Sequence, residues 1–276
     1  MWPPRLLYSF LLASLLAAGT LCAAENTQQE ASPGGETPTV IESAEKLARA
    51  LNSVEGRASM LCAVGLRYKA LGRTRKAEEL LTEVTDLLST DEAIGSIRQE
   101  VASRLTESGE HNRAFTIAGH IEKPTAKSSA LLKLAKRLAE EDQTKLGARA
   151  AEECEKALNN AEPDLPRRGR FDKMQFRLGK ILVRLGRTKR AMEIYRTMHE
   201  KYARSLPGNE DIPEALKGRE KQILMALAEV CSHKEFNNLV HNRYEPTRRI
   251  QVYFDIAMAF QKSEGVPARR YLKQAL

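Results

Sequence analysis

LCAVGLRYKALGRTRKAEELLTEVTDLL, residues 61–88, reads as two helices joined by a tight turn. Leu61, Val64, Gly65 and Tyr68 recur at steps of three and four, which places them on one helical face. Gly72 comes where that face stops, and glycine takes the left-handed conformation that ends helices. Ala77, Leu81 and Val84 then form the apolar face of a second helix. The same intervals return in VASRLTESGEHNRAFTIAGHI (101–121) and LGKILVRLGRTKRAMEIYRTM (178–198). Each copy has a small residue on the first helix (Gly65, Ala102, Gly179), then a turn glycine (Gly72, Gly109, Gly186), then an alanine on the second (Ala77, Ala114, Ala191).

These repeated intervals resemble the tetratricopeptide-repeat (TPR) family, whose units are antiparallel helix pairs of about 34 residues. Gly65 and Gly179 match the small residue where that family lets its two helices approach closely. Ala77, Ala114 and Ala191 match the small residue that packs the second helix. The resemblance implies an all-α fold, a right-handed α-solenoid of about six antiparallel helix pairs. It is specific over 58–122 and 172–204, and looser elsewhere. Leu134-Ala135 and Leu138 open a unit in which Asp142 replaces the turn glycine and the second helix, Leu146 to Leu158, is read as shifted by a residue. Leu227-Ala228 and Cys231 open another with Glu235 at the turn, and Ile256-Ala257 and Phe260 open the last, closed by Gly265 and a short helix after Pro267. The unequal steps between units depart from the family pattern. Two of them follow from NNAEPDLPRRG (159–169) and SLPGNEDIPEALKG (205–218), whose Pro, Gly and Asn content reads as connecting loops.

Composition agrees with helices. Hydrophobic residues make up 42% and aromatics 5%, and the apolar share is mostly Leu and Ala, which lose little side-chain freedom in a helix. No alternating Val/Ile run competes as a strand.

The N-terminus reads as a targeting segment. Arg5 precedes an apolar stretch from Leu6 to Leu21, and Cys22-Ala23-Ala24 places small residues before a cut after Ala24. An uncleaved anchor and a lipidated Cys22 remain as other readings of the same residues. Sixteen residues fall short of the roughly 20 that a membrane-spanning helix needs, which favours cleavage over an anchor, and no span is expected after cleavage. Residues 25–38, ENTQQEASPGGETP, lack large apolar side chains and read as a flexible leader. Thr39 and Glu42 have capping-box spacing. The domain plan is thus a signal peptide at 1–24, a leader at 25–38 and a repeat domain at 39–276. Export to a periplasm or the extracellular space is the expectation. The lack of any N-x-S/T acceptor favours a bacterial envelope over a eukaryotic secretory route.

Chemistry is hard to assemble from these residues. There is no G-x-S-x-G, Walker loop, H-E-x-x-H or dinucleotide glycine fingerprint. Histidines 111, 120, 199, 233 and 241 show no metal spacing and read as surface or capping residues. Cys62, Cys154 and Cys231 lie in helical apolar patterns and read as small buried hydrophobes. The acidic runs Glu140-Glu141-Asp142 and Glu152-Glu153-Glu155 sit among lysines and arginines and read as ion pairs. No enzyme, cofactor or metal is expected.

Charge is distributed unevenly. Residues 25–164 hold 19 Lys+Arg against 24 Asp+Glu, whereas residues 165–276 hold 24 against 12, a net of +12. In a helix-pair array one face of each first helix lines the concave side. Around Gly179 the residues facing away from the packing stripe are Lys173, Phe176, Lys180 and Arg184, with Arg177 beside them and Lys136 in the preceding unit. Some members of the family hold a partner's carboxylate with basic groove residues. This stripe is similar in kind but lacks the asparagines that complete that clamp. The expected partner is another protein, engaged through an acidic or C-terminal segment. The alternative is a polyanion, acidic polysaccharide or nucleic acid, met by RRGRFDK (167–173) and RYEPTRR (243–249), which mix basic and aromatic residues.

Overall fold

The computed structural model describes residues 40–90, 95–161, 168–205, 214–261 and Tyr271. The expected signal peptide, the leader, Thr39, Gly265 and the start of the helix expected after Pro267 lie outside the described residues. The chain divides at Ser43–Ala44 into two units, and the packing below is that of the second.

Every regular element among the described residues is an α-helix: α1 Val40–Arg49, α2 Val54–Ala70, α3 Thr74–Leu88, α4 Gly95–Glu107, α5 His111–Gly119, α6 Pro124–Glu140, α7 Thr144–Asn159, α8 Arg168–Arg184, α9 Thr188–Ser205, α10 Glu214–Val230, α11 His233–Arg243 and α12 Pro246–Gln261. Helices α2/α3, α4/α5, α6/α7, α8/α9 and α10/α11 are neighbours in sequence and in space. The first helices also stack in series, α2 on α4, α4 on α6, α6 on α8, α8 on α10 and α10 on α12. The architecture is therefore the TPR-like helical repeat that the spacing predicts: five described pairs, the first helix of a sixth, and α1 in front.

Identical turns close four of the pairs. Gly72, Gly109 and Gly186 have φ of 73°, 81° and 73°, and Asp142 has φ of 56°. Around each turn the main chain makes the same long-range bond: Arg73 donates to Tyr68 O (2.9 Å), Glu110 to Leu105 O (2.9 Å), Gln143 to Leu138 O (2.9 Å) and Arg187 to Leu182 O (2.8 Å). This hydrogen bond satisfies a carbonyl that the helix end leaves bare. Aspartate tolerates the left-handed region better than most residues, so Asp142 does what glycine does elsewhere.

Two sequence expectations need correction. The helix after Asp142 is not shifted, because Gly147 occupies the small-residue position of Ala77, Ala114 and Ala191, with its N–H bonded to Gln143 O at 2.9 Å as theirs are to Arg73, Glu110 and Arg187. A Cβ at Gly147 would lie 2.7 Å from Leu185 Cδ2. Glu235 does not form the α10/α11 turn. Ser232 caps α11 and Glu235 is its third residue, completing a reciprocal capping box. A side-chain cap thus replaces the glycine turn. In addition, Glu214–Gly218, assigned by composition to a connection, form the first turn of α10.

Close approach sets the pair geometry. Gly179 faces Tyr195, whose ring a Cβ would meet at 2.5 Å, and Gly65 faces Leu81 at 3.1 Å. Leu61, Leu80, Leu81, Leu105, Ile117, Leu178 and Leu227 line the interior without exposure, each contributing about 1.5–3 kcal/mol by leaving water. Ala77, Ala102, Ala114 and Ala191 are buried beside them.

The second helices carry a repeated ion pair. The residue before the small alanine reaches back to the preceding second helix: Arg113 to Glu78 (2.6 Å) and Arg190 to Glu155 (2.6 Å). Lys76, in the same position, reaches Glu45 of α1 at 2.9 Å. Helix α1 therefore plays the part of a second helix at the front of the array.

Candidate functional site

The stripe picked out around Gly179 runs along α8. Its inward residues, Met174, Leu178, Ile181 and Leu182, are buried, which turns Lys173, Lys180 and Arg184 outward, and all three are exposed. Phe176 is half-buried. Its ring lies 5.6 Å from that of Tyr195 on α9, tilted by 49°. Tyr195 is itself buried, so it supports Phe176 from behind.

Lys180 places its ammonium 5.2 Å from the centroid of the Phe176 ring. Such stacking holds the cation by the ring's quadrupole while its hydrogen-bond donors stay available. One turn further on, Arg184 Nη1 lies 3.8 Å from Glu140 Oε1, and Lys136 Nζ lies 3.7 Å from the same oxygen. Both pairs are solvent-exposed, and exposed pairs contribute roughly 0–1 kcal/mol. A ligand carboxylate can exchange with Glu140 at little cost. Lys173, Phe176, Lys180 and Arg184 thus share one face, with Arg177 exposed beside it.

Phe176 stands three residues before the small Gly179. At the equivalent place Cys62 and Leu132 are buried, whereas Gln99 and Met225 are half-buried like Phe176. Helix α10 packs chiefly against α9 and only touches α8. Tyr195 as the support and Glu140 as the resident carboxylate were not read from the sequence. The spacing Gly179–Tyr195 could have suggested the first; nothing in a single chain signals the second.

Other polar groups are committed within the chain. The acidic runs do pair with cations: Glu153 with Lys156 (2.7 Å), Glu155 with Arg190, and Glu141 with Arg137 (2.5 Å); Glu141 also lies 2.6 Å from His111 Nε2. Two histidines depart from the surface reading. His111 is buried against Glu141, and His199 is buried with Nε2 2.6 Å from the Tyr244 hydroxyl. Tyr244 donates to Glu220 Oε1 at 2.8 Å, and Arg248 donates to Glu220 Oε2 at 3.0 Å. Burial pushes the His199 pKa below its usual value, with Arg243 adding to the effect and Glu220 and Glu200 opposing it. Cys62 and Cys154 are buried as expected, and burial pushes both thiols up to about 12. Cys231 is only partly buried. No cluster of His, Cys, Asp or Glu among the described residues could hold a metal.

The two basic–aromatic segments fare differently from the α8 stripe. In RYEPTRR, Tyr244 and Arg248 belong to the Glu220 network, and Arg249 donates to the Tyr244 and His241 carbonyls. In RRGRFDK, Asp172 is buried and paired with Lys201 (3.2 Å), which also lies over Phe171. RYEPTRR spends much of its polarity on intramolecular contacts, whereas Lys173 of RRGRFDK is exposed and belongs to the α8 stripe.

No family model matches this chain, and no curated protein does. Among solved structures it is similar to the nearly identical TPR-like repeats of a kinesin light chain from Podosopora anserina. The TM-score is 0.38 at 14% identity, over 83% of this chain and 99% of that one. A point variant of the same protein gives a TM-score of 0.38 at 15% identity, over 83% of this chain and 100% of that one. Superposition at that level adds nothing to the helix pairing and turn bonding described above, on which the fold assignment rests. No described helix is long and apolar enough to cross a membrane.

Proposed function

We propose that this chain is an exported scaffold that binds another protein through the α8 face and performs no catalysis. A helix-pair array presents a long surface without requiring a reactive centre, though a fold alone does not fix function. The observation that carries the reading is the Phe176–Lys180 stack, supported by Tyr195 and continued by Arg184. It combines an apolar platform and the Lys180 cation with Arg184, whose present partner, Glu140, is a displaceable carboxylate. That chemistry suits an acidic or C-terminal segment of a partner protein. Export rests on the N-terminal sequence and places the encounter in a periplasm or extracellular space.

The polyanion reading has less behind it, because RYEPTRR spends its tyrosine and two of its arginines on intramolecular bonds.

The test is binding of acidic peptides with free C-termini to the full chain and to a Lys180→Glu/Arg184→Glu variant. Both side chains are exposed, so folding and melting should be unchanged. The expected result is at least about a tenfold loss of affinity, in keeping with charge-assisted contacts worth ~1.5–3 kcal/mol. Equal binding by both proteins would remove the α8 face from the account.

A further inference from the structure

Among the second helices, α5 stops early. It has nine residues, whereas its neighbours α3 and α7 have 15 and 16. Aligned on Ala114 and Gly147, Gly119 ends α5 level with Glu152, and α7 runs on for about two further turns. What α5 does not fill is a hollow of about 260 Å³ between α5, α6 and α7. The buried Leu131 and the half-buried Phe115 give it apolar walls, and Lys127, Arg149, Glu152 and Glu153 supply its charges.

The same junction breaks the ion-pair pattern of the second helices. Leu146 stands in α7 where α3, α5 and α9 carry Lys76, Arg113 and Arg190, so no cation of that row crosses to α5. Instead Arg149, one turn further along α7, sets its guanidinium 5.0 Å from the centroid of the Phe115 ring. Stacking of this kind leaves the guanidinium donors open. Among the described residues Arg149 has no carboxylate partner. Nor does the half-buried Lys127, whose ammonium donates once, to Gly119 O at 2.8 Å. Glu153 is taken by Lys156 at 2.7 Å, which leaves Glu152, an exposed side chain. Two uncommitted cations therefore face one uncommitted carboxylate, and the surplus is a single positive charge beside an apolar wall. Small-molecule sites join apolar walls to a few polar groups in this manner, and a hollow below their usual ~300–1,000 Å³ takes a compact ligand.

We propose that this hollow binds a small organic monocarboxylate, its carboxylate between Lys127 and Arg149 and its aromatic or branched body against Phe115 and Leu131. The site uses α5, α6 and α7 and none of the α8 residues, so it stands independently of the partner binding proposed there. A dicarboxylate gains nothing, since its second charge meets Glu152 and Glu153.

Titration calorimetry of the full chain with 3-phenylpropionate, its uncharged amide and phenylsuccinate tests this. The acid is expected to bind at least about tenfold more tightly than the amide, as charge-assisted hydrogen bonds require, and no less tightly than phenylsuccinate. Arg149→Gln and Lys127→Gln should each weaken the acid about tenfold and leave the amide unchanged. Lys145→Gln, which removes an exposed cation at the start of the same helix, should change neither. Melting curves confirm that each variant is folded. Arg149 is exposed, so its variant keeps the test intact even where loss of the Lys127 bond to Gly119 loosens α5. Absence of binding by the acid, equal affinity for acid and amide, tighter binding of phenylsuccinate, or an equal loss from Lys145→Gln overturns the proposal.

Discussion

Buried polar side chains in the two halves of the array satisfy different things. In α2–α7 they chiefly serve the main chain. Arg98 is 2% exposed; its guanidinium donates to Leu88 O (2.9 Å), His120 O (2.8 Å) and Thr90 O, tying the ends of two second helices together. Thr106 and Cys154 bond the Ala102 and Ser128 carbonyls. In α8–α12 such side chains bond one another: His199, Tyr244, Glu220 and Arg248 form one chain, Asp172 and Lys201 another. The turns differ in part: the first half has left-handed backbone turns at Gly72, Gly109 and Asp142, whereas the second has one at Gly186 and a side-chain capping box at α10/α11. Carbonyls do not titrate and side chains do. One half is held chiefly in a way that pH does not reach, and the other is not. His111–Glu141, Tyr68–Glu45 and Glu110 with Lys69 and Arg113 are exceptions in the first half.

The sharpest way to break this contrast is to remove Arg98. Arg98→Ala removes three hydrogen bonds made by a buried guanidinium. It leaves the carbonyl of the buried Leu88 without its donor, at ~1–3 kcal/mol for an unsatisfied buried group, whereas Thr90 and His120 are exposed. Denaturant unfolding should show a loss of about 3 kcal/mol or more. Arg98→Lys should recover only part, because one ammonium cannot span three carbonyls in different directions. A loss below about 1 kcal/mol for Arg98→Ala would mean that water replaces the guanidinium easily.

Next in size is a matched pair of glycine substitutions. Gly179→Ala drives a Cβ to 2.5 Å from the buried Tyr195 ring, whereas Gly65→Ala meets Leu81 at 3.1 Å, where a small shift relieves the contact. Overpacking costs ~1–3 kcal/mol, and Gly179→Ala belongs at the top of that range. Gly65→Ala is offset by the gain of alanine over glycine in a helix, about 1 kcal/mol, and should come out near neutral. Displacing Tyr195 also unseats Phe176, so Gly179→Ala should weaken partner binding while Gly65→Ala leaves it unchanged. Equal thermal shifts for the two would contradict the packing.

The smallest effect is a difference in pH response, read by hydrogen exchange resolved along the chain. His199 is held neutral by burial, so its folded pKa lies below the unfolded value near 6.5. Its contribution is complete above that value and is lost as pH falls from there through the folded pKa. Glu45 behaves differently. Burial alone would raise its pKa, but hydrogen bonds from Lys76, Arg49 and Tyr68 and the charge of Lys76 bring it below the usual carboxylate value. Its contribution is complete above about 4.5 and is lost only as pH falls further. Protection in α9–α12 should therefore decline first on acidification, with α1–α3 following in the carboxylate range. His199→Gln should flatten the first phase. Simultaneous loss in both halves would show that the array unfolds as one unit.

Much of the fold was legible because it is written in short intervals. A small residue, a turn glycine and a second small residue sit within a dozen positions, so helix faces and their ends can be read locally. Asp142 and Gly147 show where that reading strained. Each performs the role of its position in the repeat with a different residue type, and only φ and the turn hydrogen bonds reveal it. Glu235 was misplaced because a capping box and a turn use similar polar residues. Arg98 and His199 were invisible for another reason. Their partners lie 8–45 residues away, and a charged or polar residue on a helix reads as solvated unless its neighbours across the array are known. The α8 stripe was recognisable from spacing, but Tyr195 and Glu140, which decide how Phe176 and Arg184 present themselves, belong to other helices.

The measurement that bears most directly on the account is capture of interacting material by the full chain from an envelope extract, at low and at high salt, beside the Lys180→Glu/Arg184→Glu variant, with identification by mass spectrometry. A scaffold that uses an apolar platform together with charge should retain a discrete protein at high salt and lose it in the variant. Recovery of polyanions alone, released at high salt as counterion-driven contacts are, would contradict it and make the basic half a charge-driven binder.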